Sequence, residues 1–240
     1  MEERFIRTAY IVGDGNINAI RRSSVIVFGC GGVGSYVCEA LARLGIGKIT
    51  VVDGDKVSES NINRQLVALH STVGIFKADV MAERIKDINP ECEVRAINAF
   101  YNAENADLFS LGDYDFIVDA IDDVPAKLDI AQRAENLGVR EISSMGTGNK
   151  LCSNKFEICD IYKTSVCPLA RAMRRELKSR GVKKLTVVYS KEEPLEINEE
   201  YNAQNSGRRS PGSMPFVPGA AGLLIAEYVY KILTREGEDQ

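Results

Sequence analysis

The chain has 240 residues, 45% hydrophobic and 27% charged, which suits one large soluble domain and excludes a disordered, collagen-like or disulfide-scaffold protein. Its formal charge of −4 argues against attraction of the whole molecule to nucleic acid or acidic membrane. The charge is uneven, however: residues 171–184 hold seven basic side chains against one acid, a net +6 that leaves −10 elsewhere.

Ser24–Phe28 is a short β-branched run and predicts a buried strand. Glycines follow at 29, 31, 32 and 34, and Val33–Leu44 then carries apolar residues at helical spacing up to Gly45, a good C-cap. Lys48–Val52 predicts a second strand ending at Asp53. Lys77–Ile88 predicts a helix stopped before Pro90, and Glu93–Ile97 a third strand. Asp115–Asp119 is a fourth strand, Pro125–Leu137 a helix ended by Gly138, and Val139–Ser143 a fifth strand. The alternation predicts a doubly wound α/β domain with a mainly parallel sheet over residues 1–150. From 151 to 240 the pattern becomes an α+β elaboration of the same domain. Its parts are a strand at Phe156–Tyr162, a basic helix at Pro168–Arg180, a strand at Leu185–Tyr189, a polar loop at 191–218 and a closing helix at Gly219–Leu233.

The six cysteines are sparse and form no C-x-x-C pair, and the start of the chain lacks a signal-peptide pattern. The longest apolar stretch, 216–226, is about half the roughly 20 residues of a bilayer span. The expectation is a cytoplasmic protein with reduced thiols and no transmembrane segment.

Gly29-Cys30-Gly31-Gly32-Val33-Gly34 satisfies G-x-G-x-x-G between a strand and a helix. Glycine there permits the tight turn, lets backbone approach a phosphate and lets the helix pack close to the sheet. The helix N-terminus favours an anion. Asp53 stands where a ribose hydroxyl would be bonded. These features alone fit a dinucleotide enzyme. The following residues favour phosphoanhydride chemistry instead. Arg64 can fork onto two phosphate oxygens, Lys77 adds a point charge, and Asp122 lies near the carboxyl edge of the sheet, where a carboxylate can hold Mg²⁺ on phosphates.

This set resembles the adenylating Rossmann enzymes related to ubiquitin-activating enzyme and to the molybdopterin and thiamine sulfur-carrier adenylyltransferases. The matching segments are GCGGVGS (29–35), VVDGDKV (51–57), SNINRQ (60–65), VGIFKADV (73–80) and DAIDD (119–123). RFIRTAYIVG (4–13) is similar to that family's opening segment. The resemblance implies an ATP site built from Gly29, Gly31, Gly32, Gly34, Asp53, Asp55, Ser60, Asn61, Arg64, Lys77, Asp122 and Asp123, with Mg²⁺ on Asp122. It also implies a homodimer in which Arg7 reaches the partner's ATP.

Lys163-Thr164 with Pro168-Leu169-Ala170, and MPFVPG at 214–219, look like one subfamily, the tRNA threonylcarbamoyladenosine dehydratases. That likeness implies carboxylate adenylation by ATP followed by ring closure within the modified nucleoside, an intramolecular step needing no enzyme nucleophile. The catalytic set would be Arg7, Asn61, Arg64, Lys77 and Asp122, with tRNA phosphates on Arg171, Arg174, Arg175 and Lys178. Cys167 is read as structural, and the lone histidine, His70, receives no role. A sulfurtransferase-system partner is implied by family context only. Two other readings stay open: activation of the C-terminal Gly-Gly of a small sulfur carrier, and a non-catalytic nucleotide- or tRNA-binding module.

Overall fold

The structure is a computed structural model and describes residues 2–196 and 211–234. One seven-stranded sheet organises it. In chain order the elements are α1 (Ile6–Arg22), β1 (Ser24–Phe28), α2 (Gly34–Leu44), β2 (Lys48–Val52), α3 (Lys77–Ile88), β3 (Glu93–Ile97), β4 (Phe116–Asp119), α4 (Val124–Leu137), β5 (Arg140–Ser144), β6 (Phe156–Asp160), α5 (Pro168–Ser179), β7 (Thr186–Ser190) and α6 (Phe216–Thr234).

The strand order is β3-β2-β1-β4-β5-β7-β6. Every pairing is parallel except β6 with β7. Strand β1 pairs with β2 from Ser24↔Lys48 and with β4 from Val25↔Phe116, so it sits at the centre, buried on both faces as its β-branched run requires. The order reverses between β1 and β4. Helices α1, α2, α3 and α6 pack on one face through Ile20, Val37, Leu41, Met81 and Ile225. Helices α4 and α5 cover the other through Ile130, Ala134, Met173 and Leu177. The chain leaves β1 and β4 toward opposite faces, which opens a crevice at their carboxyl ends.

The expected doubly wound sheet is what forms, and several boundaries move for local reasons. β5 begins at Arg140 because Gly138, at φ 68°, ends α4 in a Schellman turn that occupies Val139 N–H with the Ala134 carbonyl. β6 stops at Asp160 because that side chain accepts the Tyr162 N–H at 2.8 Å and turns the chain into a 3₁₀ segment. No element is legible before Ser24, yet α1 forms there. Gly13 takes φ 75° inside it, so the helix is kinked, and Ile17 and Ile20 anchor its second half. The polar stretch 191–218 is only partly described; residues 197–210 lie outside the described residues.

The last helix extends beyond the apolar stretch 216–226. α6 starts at Phe216 and runs 19 residues, long and apolar enough to cross a membrane by length and composition. Glu227 does not end it, because that carboxylate pairs with Lys231 one turn on at 2.6 Å on the exposed side. The other side, through Val217, Ala221, Ile225 and Val229, is buried against α2 and the sheet. Gly222 lets the two helices approach: a Cβ there would stand 2.5 Å from the Val33 carbonyl oxygen.

Candidate active site

A cavity of about 760 Å³ lies along the carboxyl ends of β1, β2, β4 and β5. That is the size of a small-molecule site, at the place where doubly wound sheets bind ligands. Its floor is the β1–α2 turn. Gly29 takes φ 87° there, and a Cβ on it would meet the Ala120 carbonyl oxygen at 2.7 Å. Gly31 and Gly32 line the space, and Gly32 packs between Pro218 and the stem of Arg64. Gly34 does not line it. A Cβ on Gly34 would stand 1.8 Å from the Gly29 carbonyl oxygen, so this glycine lets the helix start directly against the strand.

Asp53 faces the cavity and already holds two backbone donors, Cys30 N–H at 2.6 Å and Asp55 N–H at 2.8 Å. Its carboxylate joins the glycine turn to the end of β2, and each oxygen keeps a further lone pair for a hydroxyl donor. Burial raises its pKa, opposed by those hydrogen bonds and by Lys77. Lys77 begins α3 almost fully buried, with Nζ 2.7 Å from Asp55 Oδ2. Arg64 is held in place by the Ser60 carbonyl at 3.0 Å and Asn63 Oδ1 at 2.8 Å, with its stem along the glycine turn. Asn61 lines the cavity and accepts the Ser58 N–H at 3.2 Å.

The opposite wall is Ala120–Asp123, the turn between β4 and α4. Asp122 is exposed there. Asp123 is spent on the helix: its Oδ2 caps α4 by accepting the Ala126 N–H at 2.9 Å. Met145–Gly148, Leu169, Pro211 and Ser213 continue the wall beyond β5.

The fold thus gathers Gly29, Gly31, Gly32, Asp53, Asp55, Asn61, Arg64, Lys77, Asp122 and Asp123 around one space. Besides Gly34, two expected residues stand apart. Ser60 is exposed, with its hydroxyl 3.0 Å from that of Ser58, and it serves through the carbonyl that anchors Arg64. Arg7 is exposed on α1 and is not in the wall of this chain's cavity.

Other wall residues carried no expected role. Gln65 is one: it lines the cavity, and its Oε1 is shut from solvent with no hydrogen-bond partner among the described residues. A buried, unsatisfied amide oxygen is costly, and a ligand donor would relieve it. Its place in SNINRQ was the available signal. Phe100–Asn102 and Met145–Gly148 follow β3 and β5, and the carboxyl-edge rule alone points to them.

The basic helix α5 is amphipathic. Ala170, Met173 and Leu177 are buried, while Arg171, Arg175 and Lys178 are exposed. Arg174 differs from its neighbours. It folds back onto Thr164, donating to that residue's carbonyl at 3.1 Å and to its hydroxyl. Cys167 is buried at the N-cap of α5, outside the cavity wall.

The ThiF family model matches residues 3–240. The tRNA threonylcarbamoyladenosine dehydratase of Bacillus subtilis is 39% identical over 247 residues, covering 99% of this chain and 97% of that protein. Crystal structures of E. coli tRNA N6-threonylcarbamoyladenosine dehydratase superpose with a TM-score of 0.88 at 32% identity in complex with AMP, and 0.87 at 33% in complex with ATP. Each match covers 99% of this chain and 96% of that one. A sulfur carrier protein adenylyltransferase of Thermus thermophilus is 37% identical over 127 residues, 53% of this chain and 46% of that protein.

Proposed function

The chain belongs to the ThiF family and within it to the tRNA threonylcarbamoyladenosine dehydratases, and from that premise we propose the role of each part of the cavity in ATP-dependent ring closure on modified tRNA. The observation that carries the reading is the convergence of Asp53, Arg64, Lys77 and the glycine turn on one space. That donor set suits a nucleotide triphosphate: a carboxylate for ribose, a glycine turn for close phosphate approach, and two cations for the charge.

The threonyl carboxylate attacks the α-phosphorus of ATP. An acyl-adenylate forms and pyrophosphate leaves. Charge moves onto the leaving oxygens, so catalysis is electrostatic and positional. Arg64 and Lys77 stabilise that charge, with Asn61 as a further donor and Asp55 holding Lys77 until the phosphate arrives. An atom of the same modification then attacks the activated carbonyl, a proton is lost from the modification and AMP is expelled. The carboxylate oxygen departs on AMP, so the nucleoside loses one water. Cys167, buried at a helix cap, has no part in this sequence.

Mg²⁺ fits the site as an ion held mainly by phosphate. Among the described residues no group of three His, Cys, Asp or Glu could bind a metal alone. Of the exposed carboxylates in the wall, Asp55 pairs with Lys77 and Asp123 caps α4, which leaves Asp122, and one carboxylate with phosphate oxygens and water is the usual set for this ion. When bound, it would neutralise phosphate charge.

The protein acts as a homodimer in which Arg7, exposed on α1, completes the partner's site. Exposed Tyr10 and Ile11 on the same helix support a contact surface there. tRNA phosphates meet Arg171, Arg175 and Lys178, while Arg174 shapes that surface from within. The compartment is the cytoplasm, in keeping with six unpaired thiols. A sulfurtransferase-system partner rests on family context alone.

The test is incubation with ATP, Mg²⁺ and threonylcarbamoyladenosine-modified tRNA. Loss of one water from the nucleoside by mass, with stoichiometric AMP, is expected. ATP–pyrophosphate exchange driven by a small sulfur-carrier protein and not by modified tRNA would favour the rival activation of a C-terminal Gly-Gly. ATP binding with neither product would leave a binding module.

A further inference from the structure

Behind the Ala120–Asp123 wall lies a buried polar cluster whose side chains do not themselves line the cavity but bond the backbone of Ile121, which does. Asp119, the last residue of β4, and Lys127, in the second turn of α4, are both fully buried, with Lys127 Nζ 2.9 Å from Asp119 Oδ2. Ser143 of β5 donates its hydroxyl to the same oxygen at 2.6 Å. The other carboxylate oxygen accepts the Ile121 N–H at 3.2 Å, and Lys127 Nζ donates to the Ile121 carbonyl at 3.1 Å. Both backbone groups of Ile121 are therefore held by one ion pair. The flanks are fixed as well: Ala120 N–H reaches the Phe28 carbonyl at 2.8 Å, and Asp123 caps α4.

Stability is a weak reason for such a pair. The desolvation of two buried charges often exceeds what their attraction returns, and apolar replacements of equal volume are commonly neutral or stabilising. The cost is heightened by Glu141. It points to the same side of the sheet two residues before Ser143, and its Oε1 is shut from solvent with no partner among the described residues. Burial first, and then the Asp119 charge, push its carboxyl well above the usual range. A cluster this expensive, gripping both polar groups of one wall residue, is suited to holding the neighbouring carboxylate in place.

We propose that Lys127, together with Asp119, is a positioning residue: the pair sets the Ile121–Asp122 turn, and through it the Asp122 carboxylate, against the transferring phosphate. The inference rests on the functional reading above. A displacement of about 1 Å in a group acting on the transition state costs about a hundredfold in rate. Nucleotide affinity, set by the glycine turn, Asp53 and Arg64 on the far wall, is largely independent of it.

The test compares wild type, Asp122→Ala and the double variant Lys127→Met/Asp119→Asn. The double change removes both buried charges together, so no orphan charge unfolds the protein. AMP formation on threonylcarbamoyladenosine-modified tRNA gives kcat and KM for ATP, and thermal melting reports folding. The expected result is a double variant that melts near wild type, keeps KM for ATP within about threefold, and loses about a hundredfold in kcat, as Asp122→Ala does. A folded double variant with wild-type kcat, beside an inactive Asp122→Ala, overturns the positioning role and leaves the functional reading intact. Wild type without AMP formation overturns the functional reading itself. If the double variant does not fold, Ser143→Ala carries the test, since it removes one hydrogen bond from Asp119 and leaves the charges paired. A fall in kcat at constant KM supports the proposal, and unchanged kcat overturns it.

Discussion

Lys77 and Asp55 meet at 2.7 Å, but unequally: the lysine side chain is 7% exposed and the aspartate 53%. The cation is fixed by its helix while the carboxylate faces solvent. An arriving phosphate can therefore take over the ammonium while Asp55 turns outward.

The first prediction follows from that asymmetry. Lys77→Met removes a fixed charge from a water-poor site and lowers AMP formation by about a hundredfold. Asp55→Asn removes a screened, half-exposed charge and changes it by less than about tenfold. Steady-state kinetics on modified tRNA checks the order; equal losses would mean that Asp55 itself handles the nucleotide.

Gly34 and Gly15 make a matched pair. Adding a Cβ at Gly34 drives it to 1.8 Å from the Gly29 carbonyl oxygen, whereas Gly15 in α1 has open space around it and needs no positive φ. Gly34→Ala should destabilise the protein by at least about 1–3 kcal/mol and weaken ATP binding. Gly15→Ala should stabilise it by about 0.5–1 kcal/mol without affecting ATP. Chemical denaturation and nucleotide titration of the two variants decide this.

Glu141 gives a pH signature. Its carboxyl is raised in the fold by burial and by Asp119. The fold binds that proton more tightly than the unfolded chain does. Stability from this residue is therefore present at acid pH and is lost as pH rises through the raised value. Glu141→Gln is neutral throughout. The melting temperature of the variant relative to wild type should rise with pH, starting above the ordinary glutamate range. An offset independent of pH would show that the carboxyl titrates normally.

On α5, Arg174 and its neighbours separate by function. Arg174→Ala breaks charge-assisted hydrogen bonds to Thr164 and should cost about 1.5–3 kcal/mol of stability. Arg171→Gln and Lys178→Gln should leave melting unchanged, weaken tRNA binding, and each lower the salt slope by about one. Binding isotherms at several salt concentrations, with melts alongside, resolve the two classes.

Much of this was legible in advance because the relevant signals are local. The strand–glycine–helix unit at 24–44 and the cation positions 64 and 77 are fixed by short-range patterning, and the structure places them together. What was not legible depends on long-range contact. The glycines at 13 and 15 disguise α1, which is held by burial of Ile17 and Ile20 rather than by propensity. Asp123 reads like Asp122 in DAIDD, and only the cap distinguishes them. Arg174 reads like Arg171 until Thr164, ten residues earlier, is seen to turn it inward. Nothing in the spacing of Asp119, Lys127 and Glu141 announces that three charged residue types share one dry space.

Pro218 comes from the last described helix, yet it packs within contact distance of Gly32 in the first glycine turn. Segments far apart in sequence thus share one wall. Most of the cavity lining comes from residues 28–148, and Pro211, Ser213 and Pro218 complete it from the C-terminal part. Pro218 takes its place when α6 docks onto α2. The contact between Pro218 and the glycine turn is therefore among the last parts of the cavity wall to form.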